Sequence, residues 1–175
     1  GFRFGTMFDI SDGAFRRMIT LMIPRTLALG AYNVGLTILT SIASFVGAGS
    51  ITILSLATNI QFVPVSVIGI SLATAVFPQL SAHASQQEMG GLQKKLTHSL
   101  WMTFWMSGAA AAGIFILRKP LVDLIFHVGA FKAGDSSLTA SVLGIFMFSV
   151  VAQSLMHVIT RAYYALQNTR TPFLI

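Results

Sequence analysis

The chain has 175 residues, 54% of them hydrophobic and only 9% charged, with a mean hydropathy of +0.77. Soluble domains carry about 25% charged residues, so the composition is that of a membrane protein. Eleven Lys and Arg against five Asp and Glu give a net charge of +6, but the basic residues sit mostly between apolar runs. That placement fits loop topology and anionic headgroups, not nucleic-acid binding. The absence of Cys excludes disulfides, thiolate metal sites and Cys nucleophiles.

The chain begins Gly1-Phe2-Arg3 without an initiator Met and ends on Phe173-Leu174-Ile175, the opening of another apolar run, so it reads as a fragment. Residues 1–20 mix aromatic and charged side chains with no signal-peptide core and read as a cytoplasmic linker. From Thr26 to Gln87 there is no Asp, Glu, Lys or Arg, and Gly47-Ala48-Gly49-Ser50 divides the run. A bilayer-spanning helix needs about 20 apolar residues, which predicts spans over 21–46 and 51–80. The second holds Asn59, Gln61 and Pro64 near its middle. Inside a bilayer such residues require a neighbouring helix or a wet cavity to satisfy the polar groups they leave open.

Residues 81–96, with Gln86, Gln87, Glu88, Gly90, Gly91, Lys94 and Lys95, read as a polar cytoplasmic loop. A third span is predicted over 97–117, closed by Arg118-Lys119-Pro120. Pro120 suits the first turn of a short interfacial helix within an extracytoplasmic loop over 120–137. Ser136 and Ser137 can cap a fourth span over 138–165, and 166–175 reads as a cytoplasmic turn leading into a further helix. Counting basic residues on alternate loops gives Arg3, Arg16, Arg17, Arg25, Lys94, Lys95, Arg161 and Arg170 on one side against Arg118, Lys119 and Lys132 on the other. The positive-inside rule puts the first set in the cytoplasm. Ser107 to Gly113 gives the third span a small-residue surface, and Gly69 with Ala73 does so on the second.

Two passages carry a resemblance. Pro64, followed at Gly69 by Ile70-Ser71-Leu72-Ala73-Thr74-Ala75-Val76-Phe77-Pro78-Gln79-Leu80-Ser81, and Arg161-Ala162-Tyr163-Tyr164-Ala165-Leu166-Gln167-Asn168-Thr169-Arg170-Thr171-Pro172 closely resemble the MurJ/MviN family of lipid II flippases. Pro24-Arg25-Thr26-Leu27 with Gly30, Ala43-Ser44-Phe45 and Gly129-Ala130-Phe131 fall at matching places. The resemblance implies an all-α integral membrane protein: a four-helix transmembrane fragment, about helices seven to ten, of a fourteen-helix two-lobe transporter of the multidrug/oligosaccharidyl-lipid/polysaccharide exporter superfamily. It implies a multi-pass protein of the bacterial cytoplasmic (inner) membrane that flips lipid II by alternating access. The partners implied are lipid II or a similar undecaprenyl-diphosphate-linked glycan, membrane lipids and the N-terminal lobe of the same protein, with no nucleic acid and no cofactor.

In that family helices one, two, seven and eight enclose a cationic cavity, and the 51–80 span would be helix eight. This sequence departs from the pattern in two places. Many members carry an Arg at the position matching Asn59, often after an Asp matching Thr58. Some carry an Asp or Asn of a cation site at the position matching Leu39. An exporter of another lipid-linked oligosaccharide or of a drug-type substrate, and a non-transporting scaffold, therefore stay open beside the flippase.

The candidate cavity residues are Asn59, Asn33, Thr37, Arg25 and Gln61. Asn59 and Gln61 lie near the bilayer centre, where polar side chains mark either interhelical hydrogen bonds or a pathway. The family register places Asn59 on the cavity wall and leaves Gln61 ambiguous. Asn33 and Thr37, one turn apart, form a polar edge that faces either the cavity or a neighbouring helix. Arg25 either snorkels to headgroups or meets the substrate diphosphate at the inner gate. Pro64 and Gly69 are hinge candidates, against a static kink. Gln153, His157 and Arg161, at i, i+4 and i+8, form a polar stripe that is either a relay or an interhelical seam. The five acids, Asp9, Asp12, Glu88, Asp123 and Asp135, lie outside the predicted spans, and no hydrolase or phosphate-loop motif is present. Neither an enzyme nor a metal site is expected.

Overall fold

The structure, a computed structural model, describes residues 13–47, 49–126 and 133–166, without the side chains of 13–18, 20, 21, 24, 25, 28, 29, 32 and 133. The described residues form helices and turns with no strand: α1 Gly13–Val46, α2 Ser50–Pro64, a π-helical segment Val65–Ile70, α3 Ser71–Ser85, α4 Met89–Phe126 and α5 Ala133–Ala165. Between α1 and α2, Gly49 takes φ 88, which a side chain would strain, and the N–H groups of Ser50 and Ile53 donate to the Gly47 and Gly49 carbonyls.

From Ser50 to Ser85 the helix runs unbroken for 36 residues, about 54 Å at 1.5 Å per residue, well beyond the ~30 Å hydrocarbon core. Pro64 lacks an N–H, and the disturbance is absorbed as a π-bulge rather than a break. The Val65 N–H reaches only Phe62, and the Ser71 N–H reaches back five residues to Ser66. The hydroxyls of Ser66 and Ser71 then donate to the Val63 and Ser66 carbonyls at 2.9 and 3.2 Å. In lipid such internal donors replace the water that would otherwise serve these carbonyls.

Ser50–Ser85, Met89–Phe126 and Gly134–Ala165 are each long and apolar enough to cross a membrane, and Asn33–Val46 is a further apolar stretch within α1. Helix association in lipid depends on close contact between small residues, because the surrounding tails are as apolar as the side chains. The burial pattern follows that rule. Ala57, Ala73, Thr103, Ser107, Ala140 and Ser154 are buried, while Phe45 is 89% exposed, Leu124 83% and Phe148 79%.

Helix α5 packs against α4, α2, the π segment and α3, whereas α1 touches only α2 among the described elements. The buried apolar residues form two clusters along α5. One joins Ala57, Ile60 and Val65 to Leu143, Met147 and Val150. The other joins Val76, Leu80 and Leu92 to Ala162 and Ala165. Gly69 and Ser154 lie between them in chain order.

Four sequence expectations are corrected. Residues 81–96 are not a loop: α3 continues to Ser85, only Gln86–Glu88 turn, and α4 starts at Met89. Gln86, Gln87 and Glu88 are exposed in the turn and Lys94 is exposed on α4, Leu92 is buried with Leu80, and His83 Nδ1 pairs with Glu88 Oε2 at 2.8 Å across the turn. Pro120 does not open a separate helix, because α4 passes through it to Phe126. Prolines persist inside membrane helices where packing holds the helix on both sides, and one turn before this one the Arg118 guanidinium donates to the Phe115 carbonyl at 2.6 Å. Ser136 is not a cap, since α5 begins at Ala133 and the Ser136 hydroxyl donates to the Asp123 carboxylate instead, tying the ends of α4 and α5 together. The linker predicted over 1–20 is helical from Gly13 onward, because α1 begins there, and its residues 1–12, like the loop residues 127–132, lie outside the described residues.

Leu80 is fully buried and Ile116 is 74% exposed. In the full-length protein Leu80→Ala is expected to lower stability by about 2 kcal/mol or more, and Ile116→Ala by less than about 0.5 kcal/mol. Thermal melts in detergent read the difference, and equal shifts would contradict this packing.

Candidate functional site

The polar side chains of the α2 mid-section sort to different faces. Ile60 and Gln61 are buried against α5, Thr58 is half-buried, and Asn59 is exposed on the side turned away. Gln61, two residues on from Asn59, is rotated by about 200° at 100° per residue. Its Nε2 donates to Ser149 Oγ on α5 at 2.8 Å, and Gln153 Nε2 donates to the same oxygen at 2.9 Å. The Ser149 hydroxyl in turn donates to the Phe146 carbonyl at 2.8 Å. One donation and two acceptances exhaust a hydroxyl's capacity, so Ser149 is a saturated node that fixes two amides on neighbouring helices.

This node lies in the wall of a groove of about 630 Å³ between α1, α2 and α5. Leu36 and Leu39 line it from α1, Thr58, Gln61 and Phe62 from α2, and Ser149, Gln153 and His157 from α5. His157, half-buried, is the one ionisable group among the described residues lining it. Leu36 also lines a second groove of about 420 Å³ with Asn33, Thr37, Thr40, Ser41 and Ser44, so the two adjoin along α1.

The α1 face of the smaller groove has a definite polarity. Thr37, Thr40 and Ser41 donate to the carbonyls of Asn33, Leu36 and Thr37 at 2.8–2.9 Å, and Ser44 donates to Ser41 at 2.6 Å. Their protons are committed to the backbone, so these hydroxyls present lone pairs outward. Such a surface accepts from sugar hydroxyls, amides or ammonium groups and does not favour a phosphate oxygen.

The structure thus divides the residues singled out from sequence. Gln61, Gln153 and His157 share the larger groove, while Asn33 and Thr37 line the smaller. Asn59 lies in neither. Arg161 leaves the stripe it shares with Gln153 and His157 and sits 5.7 Å over the Phe77 ring on α3, since eight residues turn a helix by about 80° beyond two full turns. The Arg25 side chain lies outside the described residues. Pro64 precedes the π segment and Gly69 lies within it, meeting Ser154 so closely that a Cβ would lie 2.7 Å from the Ser154 Cα. Ser149 was missed from sequence, although it extends the Gln153, His157 and Arg161 spacing by one more turn. Among the described residues no three His, Asp or Glu side chains gather as a metal site.

Three apolar helices long enough to cross a bilayer, packed together beside a polar groove, are the architecture of a multi-pass helical membrane protein. The family model for lipid II flippase MurJ matches residues 1–175, and the chain belongs to that family. It is 30% identical over 172 residues to a probable lipid II flippase MurJ of Rickettsia prowazekii, covering 98% of this chain and 34% of that protein. It is 29% identical over 160 residues to the lipid II flippase MurJ of Burkholderia cenocepacia, covering 90% of this chain and 30% of that one. A solved structure of lipid II flippase MurJ in an inward closed conformation superposes with a TM-score of 0.79 at 22% identity, over 98% of this chain and 35% of that one. The chain therefore spans about a third of the length of these relatives, and it is a multi-pass protein of the bacterial inner membrane.

The Ser149 node predicts non-additive stability. Ser149→Ala leaves the buried Gln61 amide without its acceptor, whereas Gln61→Leu with Ser149→Ala removes both partners. The double variant is expected to be more stable than Ser149→Ala alone by about 0.6–1.7 kcal/mol, the range for hydrogen bonds between membrane helices. Denaturant titration of the full-length protein in detergent measures this, and additive effects would show that the two groups are not coupled.

Proposed function

We propose that this chain supplies the first four helices of the second lobe of a lipid II flippase, which carries the lipid-linked peptidoglycan precursor across the membrane by alternating access. The observation that carries the reading is the MurJ family match along the whole chain. A membrane-spanning rod with a π segment after Pro64 supports it, because transport by rocking requires a place where helices repack around a midplane site. Translocation breaks no covalent bond, and the chain acts as a transporter and not as an enzyme. The Gln86–Glu88 turn, followed by Lys94 and Lys95, faces the cytoplasm on this reading.

The polar faces divide the cargo by chemistry. Asn59, exposed on the side of α2 away from α5, offers an amide N–H to the diphosphate, and Arg25 meets the same group at the inner gate. The outward lone pairs beside Asn33 and Thr37 suit the hydroxyl and amide donors of the glycan and peptide. Gln61, held by Ser149, positions α2 against α5 rather than touching cargo. The polyprenyl tail remains in lipid, against the exposed apolar faces.

Depleting the full-length protein in the parent bacterium is expected to reduce exposure of lipid II on the outer leaflet, and unchanged exposure would sink the reading. Asn59 refines the test. Charge-assisted hydrogen bonds are about twice as strong as neutral ones, so Asn59→Arg should preserve or raise flipping while Asn59→Leu lowers it several-fold. Equal rates for the Leu and Asn proteins would remove Asn59 from the cargo path.

A further inference from the structure

Seven polar side chains are buried among the described residues: Gln61, Ser99, Thr103, Ser107, Ser136, Thr139 and Ser154. Six have partners. Ser99, Thr103, Ser107 and Thr139 return their hydroxyls to the carbonyl one turn back, Ser136 donates to Asp123, and Gln61 donates to Ser149. Ser154, with 0% exposure, has none. A serine inside a helix ordinarily bonds its own i−4 carbonyl, whereas the Ser154 Oγ lies against Gly69 of the π segment instead.

What distinguishes Ser154 is its neighbour. It packs against the π segment at Gly69, where a Cβ would stand 2.7 Å from the Ser154 Cα and 3.1 Å from its Oγ. Only glycine permits the approach. The contact falls between the two buried clusters, at the point where the α2–α3 rod carries a π-bulge after Pro64. π-bulges mark places where helical register is least firmly held.

We propose that Ser154 is the residue that keeps this crossing reversible. In the packed arrangement its hydroxyl is buried without a partner, and a displaced π segment frees it to bond the backbone as the buried hydroxyls of Ser99, Thr103, Ser107 and Thr139 do. The unmet bond therefore weights the equilibrium toward release, against the close packing that Gly69 favours. Ser154 acts as a positioning residue of the conformational cycle and has no contact with cargo. The inference concerns the hinge alone and stands whatever the protein transports.

Hydrogen exchange of the backbone amides in the full-length protein, held in lipid nanodiscs, tests it. Ser154→Ala deletes the orphaned hydroxyl without adding an atom and is expected to slow exchange across Val65–Ser71 about tenfold, the shift of an equilibrium relieved of one unmet buried hydrogen bond. Amides of Ser99–Ser107 on α4 should keep their rates. Gly69→Ala should have the opposite sign, speeding exchange in Val65–Ser71, because the added methyl meets the Ser154 backbone. Unchanged or faster exchange in Val65–Ser71 of Ser154→Ala would overturn the proposal. So would slowing of equal size along α4, which would indicate a general gain in stability and no local equilibrium. An unaltered rate for Gly69→Ala would remove the contact on which the argument stands.

Discussion

In lipid a helix gains little from burying an apolar side chain and much from bringing its backbone close to another's. The crossing of the α2–α3 rod over α5 is where that constraint is tightest. Gly69 has no side chain to hold Ser154 off, and the helices meet at backbone distance. Above and below it the packing is ordinary, with Val65 and Val150 in one cluster and Val76 and Ala162 in the other. The crossing joins two packed halves that are otherwise held by separate residues, and its geometry sets the alignment of both.

Helix α5 is the frame for these contacts. It has no proline or π segment along its 33 residues, and it is stapled to α4 by small buried residues along the α4 seam and by Ser136 on Asp123 at the end. The rod opposite it is jointed. The difference is written in the backbone: Pro64 removes a donor from the rod and a π segment follows it, whereas α5 keeps one helical register throughout.

How much of this could be read from sequence depends on whether local chemistry or neighbours decide. Charge-free runs and the Gly47–Ser50 turn announced long helices, because cost in lipid is a property of each residue. Gln61 announced a polar group needing a partner, but the partner, Ser149, lies 88 residues away and small hydroxyls are common in membrane helices. The polar stretch after Ser81 suggested a loop because polarity was read as departure from helix. In fact a rod longer than the hydrocarbon layer carries polar residues at its ends, and Leu92 with Leu80 shows which side still packs. Pro120 misled for a related reason, since in water an interior proline breaks a helix, while here α4 runs on and Arg118 serves the adjacent Phe115 carbonyl. The π-bulge was legible only as a kink at Pro64, because its register is set by where Gly69 must meet α5.

These features decide which part of the rod is free to move. A bend at Pro64 cannot carry α2 and α3 together with an unjointed α5, so one of the two seams must slip. The α2 seam is held by the saturated Gln61–Ser149–Gln153 node and by the larger cluster around Ala57, Ile60 and Leu143. The α3 seam has the smaller cluster and a guanidinium 5.7 Å from the Phe77 ring, a contact worth only about 0.5–1 kcal/mol where solvent reaches it. Slippage therefore belongs to α3 and the turn that follows it, while α2 stays fixed to α5 and the groove beside Gln61 keeps its shape. The polar groove thus adjoins the firmly held seam on one side of the bulge, and the weaker seam lies on the other.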